Sequence, residues 1–259
     1  MITALPRTVL RVTGESAKAW LDGLLTNTVA PEGATFAALL TPQGKIIADM
    51  MVSPTEGGFL LDTPEAMGAG LLKRLKMYVL REPLSVEDVS GEMTVHQVFD
   101  AEDVPEGAVR DPRHASLGHR LIAEVGMGDT PLEEWDRFRL TLGVPLSQFD
   151  YGPLEVFPAD ACMDELNGVD LHKGCFVGQE VVSRMHRLSS AKKRMRAVVL
   201  RGDAKTGDSL MAGTRRVGDL LHVRDRMGMA LLRLDRLENA SELVTVNGKE
   251  VDVMGGPNG

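Results

Sequence analysis

Two extended apolar runs, TFAALL from Thr35 and KIIADMMV from Lys45, are separated only by Thr41-Pro42-Gln43-Gly44. Pro and Gly are placed there as in a tight turn, and so short a connection cannot house a crossover helix. The two runs must therefore pair as an antiparallel hairpin. A third run, GFLLD, follows the turn SPTEGG, and Asp62 or Thr63 ahead of Pro64 then signs the start of a helix reaching about Tyr78. Upstream, TVLRVTG alternates like a half-buried strand. Gly14 releases it into a helix with Ala17, Trp20, Leu21 and Leu24 at helical spacing, closed at Asn27. Downstream, PLSVEDVS, EMTVHQVFD and HRLIAEVG read as strands joined by the polar loop AEDVPEGAVRDPRHASLG. Thr130-Pro131 then opens the helix PLEEWDRFRLTLGV, with acids in its first turn where the macrodipole favours them. Strands and helices mix without βα alternation, so the fold class is α+β and not a Rossmann sheet.

From about residue 191 the texture changes to short extended runs, AKKRMRAVVLRG, LLHVRD, MGMALLRL and LVTVNGKEVDVM, the last pairing about Asn247-Gly248 as a type I′ hairpin. The chain of 259 residues thus divides into 1–190 and a small β-rich domain, 191–259. A net charge of -8 repels nucleic acid and anionic membrane as a whole. Aromatic residues are 4%, too few for a base-stacking surface. No apolar run approaches the roughly 18 residues of a membrane span, and MITALPRTVLRV lacks the apolar core of a signal peptide. The expected location is cytoplasmic, with no membrane partner.

Only Cys162 and Cys175 could carry thiol chemistry, and neither has the spacing of a zinc site, so no metal site is expected. Cys162, in FPADACMDEL, falls at helical spacing and reads as core. Cys175 lies in Leu171-His172-Lys173-Gly174-Cys175-Phe176-Val177-Gly178-Gln179-Glu180, bracketed by two glycines and just ahead of a short helix. Backbone N–H groups at a helix start, with Lys173 and His172, would favour thiolate over thiol, each unit of pKa shift being about 1.4 kcal/mol. The same residues allow a bland alternative, a small buried cysteine.

The segment KGCFVGQEVVSRM resembles the K-G-C-[YF]-x-G-Q-E signature of the YgfZ family, folate-binding proteins of iron–sulfur cluster assembly and repair related to the glycine-cleavage T-protein, an aminomethyltransferase. WLDGLLTNTV, ALLTPQGKIIADMMV, RFRLTLGVP and GMALLRL are similar to further family segments in the same order. The resemblance implies a T-protein-like ring of two interlocked α+β lobes within 1–190, closed by a C-terminal β-barrel, with tetrahydrofolate in the central channel. It implies Cys175 and Asp49 as the chemical groups, and Asn27, Arg81, Lys173, Gln179 and Glu180 as cofactor-binding residues. The implied partners are folate and iron–sulfur client or assembly proteins. An effect on tRNA modification would be indirect, through cluster supply.

Two positions depart from the enzyme. The T-protein hairpin carries an adjacent acid pair where this chain has Ala48-Asp49, and its helix carries a pterin-binding glutamate where this chain has Thr141. A hydroxyl cannot reproduce the charge-assisted bonds of a carboxylate on a guanidine-like pterin edge. The T-protein also has an aspartate at the place of Cys175. The first function read from the chain is therefore a folate-binding accessory factor for iron–sulfur proteins; the alternative is a tetrahydrofolate-dependent one-carbon transferase using Asp49. Seven basic residues between Val181 and Arg201 (Arg184, Arg187, Lys192, Lys193, Arg194, Arg196 and Arg201) stand without an acid. They allow polyglutamyl folate, a solvated linker, or tRNA.

Overall fold

The computed structural model describes residues 1–80, 82–123, 127–187, 192–238 and 242–257. Arg81 and the expected domain boundary at 190/191 lie outside the described residues. Fifteen strands, β1(Ile2–Leu5) β2(Arg7–Thr13) β3(Thr35–Leu40) β4(Ile46–Thr55) β5(Gly58–Pro64) β6(Ser85–Asp88) β7(Thr94–Val98) β8(Val109–Arg110) β9(His119–Ala123) β10(Lys193–Leu200) β11(Ser209–Ala212) β12(Arg215–Arg224) β13(Met227–Arg233) β14(Val244–Val246) and β15(Lys249–Val253), form three bodies among the described residues. With them go the helices α1(Ala17–Leu24), α2(Glu65–Val79), α3(Leu132–Thr141), α4(Gln179–Arg187) and α5(Leu234–Leu237). None of these helices is long and apolar enough to cross a membrane.

The hairpin read from the TPQG turn is β3–β4, and it heads a five-stranded antiparallel sheet in the order β3-β4-β5-β2-β6. Its strands β3 and β4 are buried over almost their whole length, because the sheet is covered on both faces. Helix α2 packs on β2 and β4, and Gly68 permits the approach: a Cβ there would sit 2.1 Å from Thr8 Oγ1 and 2.5 Å from Thr8 Cβ. The helix start differs from the expectation. Asp62 and Thr63 remain in β5, and Pro64 is the N-cap with no side-chain cap bond. Their side chains are engaged in the interior: Thr63 Oγ1 donates to Asp49 O, and Asp62 accepts from two arginines. Helix α1 ends at Leu24 rather than at Asn27.

The second body is a four-stranded sheet, β1-β7-β9-β8. Its strand β1 and the short β8, with a 3-10 turn at Ala115–Leu117, fall where the sequence showed no strand or only a polar loop. The last three residues of the HRLIAEVG run, 124–126, lie outside the described residues. Asp62 joins the two sheets: Arg7 of β2 donates to its Oδ1 at 2.8 Å and to its carbonyl at 2.7 Å, and Arg120 of β9 donates to Oδ1. Asp62 and Arg120 are buried and Arg7 nearly so, which makes Asp62 the shared counter-charge of two guanidiniums drawn from different sheets.

The third body is a closed six-stranded barrel, β10-β13-β12-β11-β14-β15. Closure removes the free edges that short strands would otherwise present. The β14–β15 turn has Asn247 at φ 49° and Gly248 at φ 74°, as a type I′ turn requires. Of the basic run read as a possible linker, Arg184 and Arg187 lie in α4 and Lys193, Arg194 and Arg196 in β10, where the arginines face partners: Arg194 pairs with Asp164 and Arg196 with Glu165. A second clamp holds the barrel to α3, where Asp136 accepts from Arg224 Nε at 2.9 Å and lies 2.7 Å from His222 Nε2. Asp136 also meets the fully buried Arg139, and against the opposing effect of burial the His222 hydrogen bond with the Arg139 and Arg224 guanidiniums holds its carboxyl well below the ordinary carboxylate range.

Candidate functional site

The Cys175 loop is built from the chain outward. Thr26, fully buried, accepts Ala38 N and donates to Gly168 O, which sets segment 168–170 beside β3. Asp170 then receives the Thr28 hydroxyl at 2.8 Å and the amides of His172 and Lys173 at 2.9 and 3.1 Å. The Thr28 bond, with these amides, holds its carboxyl below the usual range. The chain turns on this carboxylate, an Asx-type turn whose signal is an aspartate two and three residues ahead of the amides it accepts. Sequence reasoning missed Asp170, although the VDLHK order contains that signal.

Lys173 follows, and its role differs from the expected support of a thiolate. Its Nζ donates to three carbonyls, Asp22 O at 2.7 Å, Leu25 O at 2.8 Å and Asn27 O at 2.9 Å. An ammonium has three donors, so all are spent on the end of α1 and the turn after it. Burial pushes its pKa down, against the pull of Asp22 and Asp170. Asn27 belongs to the same joint: its Nδ2 donates to Phe36 O and Asn167 O, and its Oδ1 accepts Thr28 N. These two expected cofactor residues are thus brought together, as fasteners.

Beyond Lys173, Phe176 is buried beneath the loop, with the Lys173 ammonium 5.5 Å from its ring centre. Gln179 closes the loop by donating from Nε2 to Gly174 O at 3.4 Å, while Glu180 is exposed in the first turn of α4. Cys175 stands between these anchors and is exposed. It precedes Gln179 by four positions, so it lies outside the first turn of α4 rather than at the helix start. The two glycines are unequal. A Cβ on Gly174 meets open space, whereas Gly178 has φ +83° and a Cβ there would lie 2.7 Å from Thr41 O and 3.3 Å from Gly44 Cα. Gly44, φ +80°, is blocked in turn by the Val181 side chain at 2.9 Å, so the TPQG turn packs closely on the Gly178 backbone and on the first turn of α4.

Cys162 is its opposite. It is fully buried, in consecutive turns rather than the expected helix, with φ 56°. Arg196 Nη1 approaches its sulfur at 2.9 Å, yet burial pushes the thiol up to about 12. Both cysteines are free.

Asp49 is remote in character from an open acid. It is 4% exposed, with Ser147 Oγ donating to Oδ1 at 2.6 Å and Tyr151 OH donating to Oδ2. Burial, reinforced by the Asp49 charge, pushes the Tyr151 phenol well above its ordinary range, so it stays a donor. Ala48 beside it is fully buried, and Thr141 donates its hydroxyl to Phe138 O on the exposed end of α3. The T-protein's arrangement, a hairpin carboxylate for the folate nitrogen and a helix carboxylate for the pterin, does not fit these two places. One carboxylate has both oxygens committed to buried partners, and the other position has no carboxylate.

Three comparisons now bear on this arrangement. Residues 192–254 match the family described as CAF17, C-terminal beta-barrel domain. Over 95% of the chain it is 28% identical to the Mus musculus protein named iron-sulfur cluster assembly factor IBA57, mitochondrial, 81% of which is covered. The Homo sapiens protein of the same name is 28% identical over 95% of this chain and 80% of its own length. The crystal structure of glycine cleavage system aminomethyltransferase T from Bartonella henselae superposes with a TM-score of 0.78 at 14% identity, over 99% of this chain and 85% of that one. The fold is therefore that of the T-protein, α+β lobes with a C-terminal barrel. The cytoplasmic location expected from the N-terminal residues is corrected by these relatives, which are mitochondrial proteins by name.

Proposed function

We propose that this chain is an iron–sulfur cluster assembly factor whose working group is the Cys175 thiol. The observation that carries the reading is the exposure of Cys175 on a loop fastened at both ends, by Lys173 to α1 and by Gln179 to Gly174 O. The names of relatives similar over nearly the whole chain support the class of cargo.

The chemistry limits what one thiol can do. Clusters take several soft thiolate ligands, and no group of three or more His, Cys, Asp or Glu that could hold a metal stands among the described residues. Cys175 therefore acts as a single sulfur ligand toward a cluster whose other ligands belong to a partner protein. Its loop is exposed enough for a second protein to approach, and the anchors on either side limit the positions the sulfur can take. Effects on tRNA modification follow through the supply of clusters to modifying enzymes and require no RNA contact.

The alternative, one-carbon transfer through Asp49 and tetrahydrofolate, has less support, because Ser147 and Tyr151 already hold both carboxylate oxygens. No step is assigned to folate. The test is Cys175→Ser in cells lacking the native protein, scored by the activity of iron–sulfur enzymes with Cys162→Ser as control. The expected result is loss of support with an unchanged unfolding midpoint. Full support by the Cys175→Ser protein overturns the thiol role.

A further inference from the structure

The barrel carries a basic strip that the thiol chemistry does not use. One cavity of about 250 Å³ is lined by Lys193 of β10, Arg216 and Asp219 of β12, Arg233 of β13 and Arg236 of α5. A second, of about 310 Å³, shares Lys193 and Arg233 with the first and adds Lys45, Lys192, Glu155 and Asp160. The two form one continuous groove. Strands β10, β13 and β12 are neighbours in the barrel, so its cations stand on strands about 5 Å apart. Leu234 N donates to Lys192 O at 2.8 Å and Arg236 Nη1 to Arg216 O at 2.8 Å, which seats α5 across them.

Six cations line the groove against three acids, in a chain whose net charge is -8. Local pairs absorb part of that charge: Arg216 Nε donates to Asp219 at 2.9 Å, and Arg233 donates to Asp235 at 3.0 and 2.9 Å. Glu155 and Asp160 accept the backbone amides of Gly152 and Phe157. Lys45, Lys192, Lys193 and Arg236 form no ion pair among the described residues. Lys193 also stands directly opposite Arg233 in the β10–β13 register, and like charges so placed destabilise a sheet. The fold bears a repulsion that an anion lying over these strands would relieve.

The lining also selects the kind of anion. Four unpaired cations spread over two joined cavities match several negative charges along one extended ligand better than one small ion. Phe157 is the aromatic residue of the described lining, and the Lys45 ammonium, held by Glu155 O at 2.5 Å, stands 4.1 Å from its ring centre, so that ring already has a cationic partner. A groove rich in cations and poor in stacking faces favours carboxylates over nucleobases. We propose that this groove docks an extended acidic segment of another protein, its carboxylates lying along Lys45, Lys192, Lys193 and Arg236. Nothing in this contact depends on Cys175.

The probe is a fluorescein-labelled peptide of five Glu-Ser repeats, titrated by anisotropy against the full chain beside a peptide of five Gln-Ser repeats. The Glu peptide is expected to bind at low salt and more weakly as salt rises, and the Gln peptide not to bind. Lys192→Gln with Lys193→Gln should weaken binding about fivefold and flatten its salt dependence. Its unfolding midpoint should equal or exceed the parent's, because the opposition to Arg233 is gone. Arg236→Gln should weaken binding on its own. Lys205→Gln with Lys249→Gln removes the same charge from the barrel outside the groove and should leave affinity and salt dependence unchanged. Cys175→Ser should bind as the parent does, so this test and that of the thiol reading fail separately. The proposal is overturned if the Glu peptide does not bind, if the groove variants leave its affinity unchanged, or if the Lys205 and Lys249 pair weakens it as much. It is equally overturned if inorganic phosphate, γ-linked pentaglutamate or oligouridylate displaces the probe at a lower concentration than the unlabelled Glu peptide, which would make the occupant a small anion, a polyglutamyl tail or RNA.

Discussion

Replacing Lys173 by Met keeps most of the side-chain length and removes the three donors that bind the Cys175 loop to α1. Hydrogen bonds to a charged group contribute about 1.5–3 kcal/mol each, and the three lengths, 2.7, 2.8 and 2.9 Å, are those of well-made bonds. A simple sum overstates the loss. Lys173 is half-buried, and the downward push on its pKa shows that charging it in place costs free energy. The released carbonyls also regain water. A net destabilisation of about 2–3 kcal/mol follows, or roughly 5–10 °C in the unfolding midpoint for a chain of this size. The effect should be local as well as global. Hydrogen exchange is expected to quicken at amides 171–178 and in the last turn of α1, while the barrel stays protected. Urea denaturation measures the first quantity and exchange mass spectrometry the second. A Lys173→Met protein within about 0.5 kcal/mol of the parent, with unchanged protection in these two segments, would refute the fastening role.

Cys175 should react with a thiol reagent in the native protein while Cys162 reacts only after unfolding, because its thiol is buried and pushed up to about 12; two reactive thiols under native conditions would contradict this. Tyr151 has a folded pKa raised above its unfolded value, so its stabilising contribution is complete below about pH 10 and lost as pH rises beyond it. In a Tyr78→Phe background, ultraviolet titration should show no phenolate at pH 11 until unfolding, and Tyr151→Phe should lessen the alkaline loss of stability. Gly68→Ala should cost roughly 2–3 kcal/mol by overpacking against Thr8, outweighing the helix-propensity gain of about 1 kcal/mol; calorimetry showing a stabler variant would contradict the close approach of α2 to β2.

The parts of the fold that were legible in the sequence are those fixed by local chemistry. The Thr41–Gly44 turn and Asn247-Gly248 each dictate a hairpin through backbone geometry, and both hairpins form. The exposed cysteine was legible as a residue between glycines but not as an exposed one, since burial is settled by elements far away in the chain. Lys173 shows why the rest was hidden. Its charge suggested a partner two residues along, whereas its three acceptors lie about 150 positions upstream in the chain, and no spacing rule encodes that. Asp62 is the same case: its position before Pro64 fits a helix cap, but the guanidiniums of Arg7 and Arg120 offer a buried carboxylate more than one backbone N–H can. Strand β1, with only Ile2–Leu5, carried too short a pattern to register and depends on pairing with β7.

The contact between Gly44 and Gly178 makes two distant segments a single unit of inheritance. Because a Cβ on Gly178 would meet Thr41 O and Gly44 Cα, and a Cβ on Gly44 would meet the Val181 side chain, neither TPQG nor FVGQE can be exchanged alone for a stretch with a larger residue at that place. A chimera that grafts the thiol loop of a relative onto this chain should carry its folding defect or its rescue in the hairpin turn, more than 130 residues upstream in the chain. Swapping both segments together should restore what swapping either one destroys.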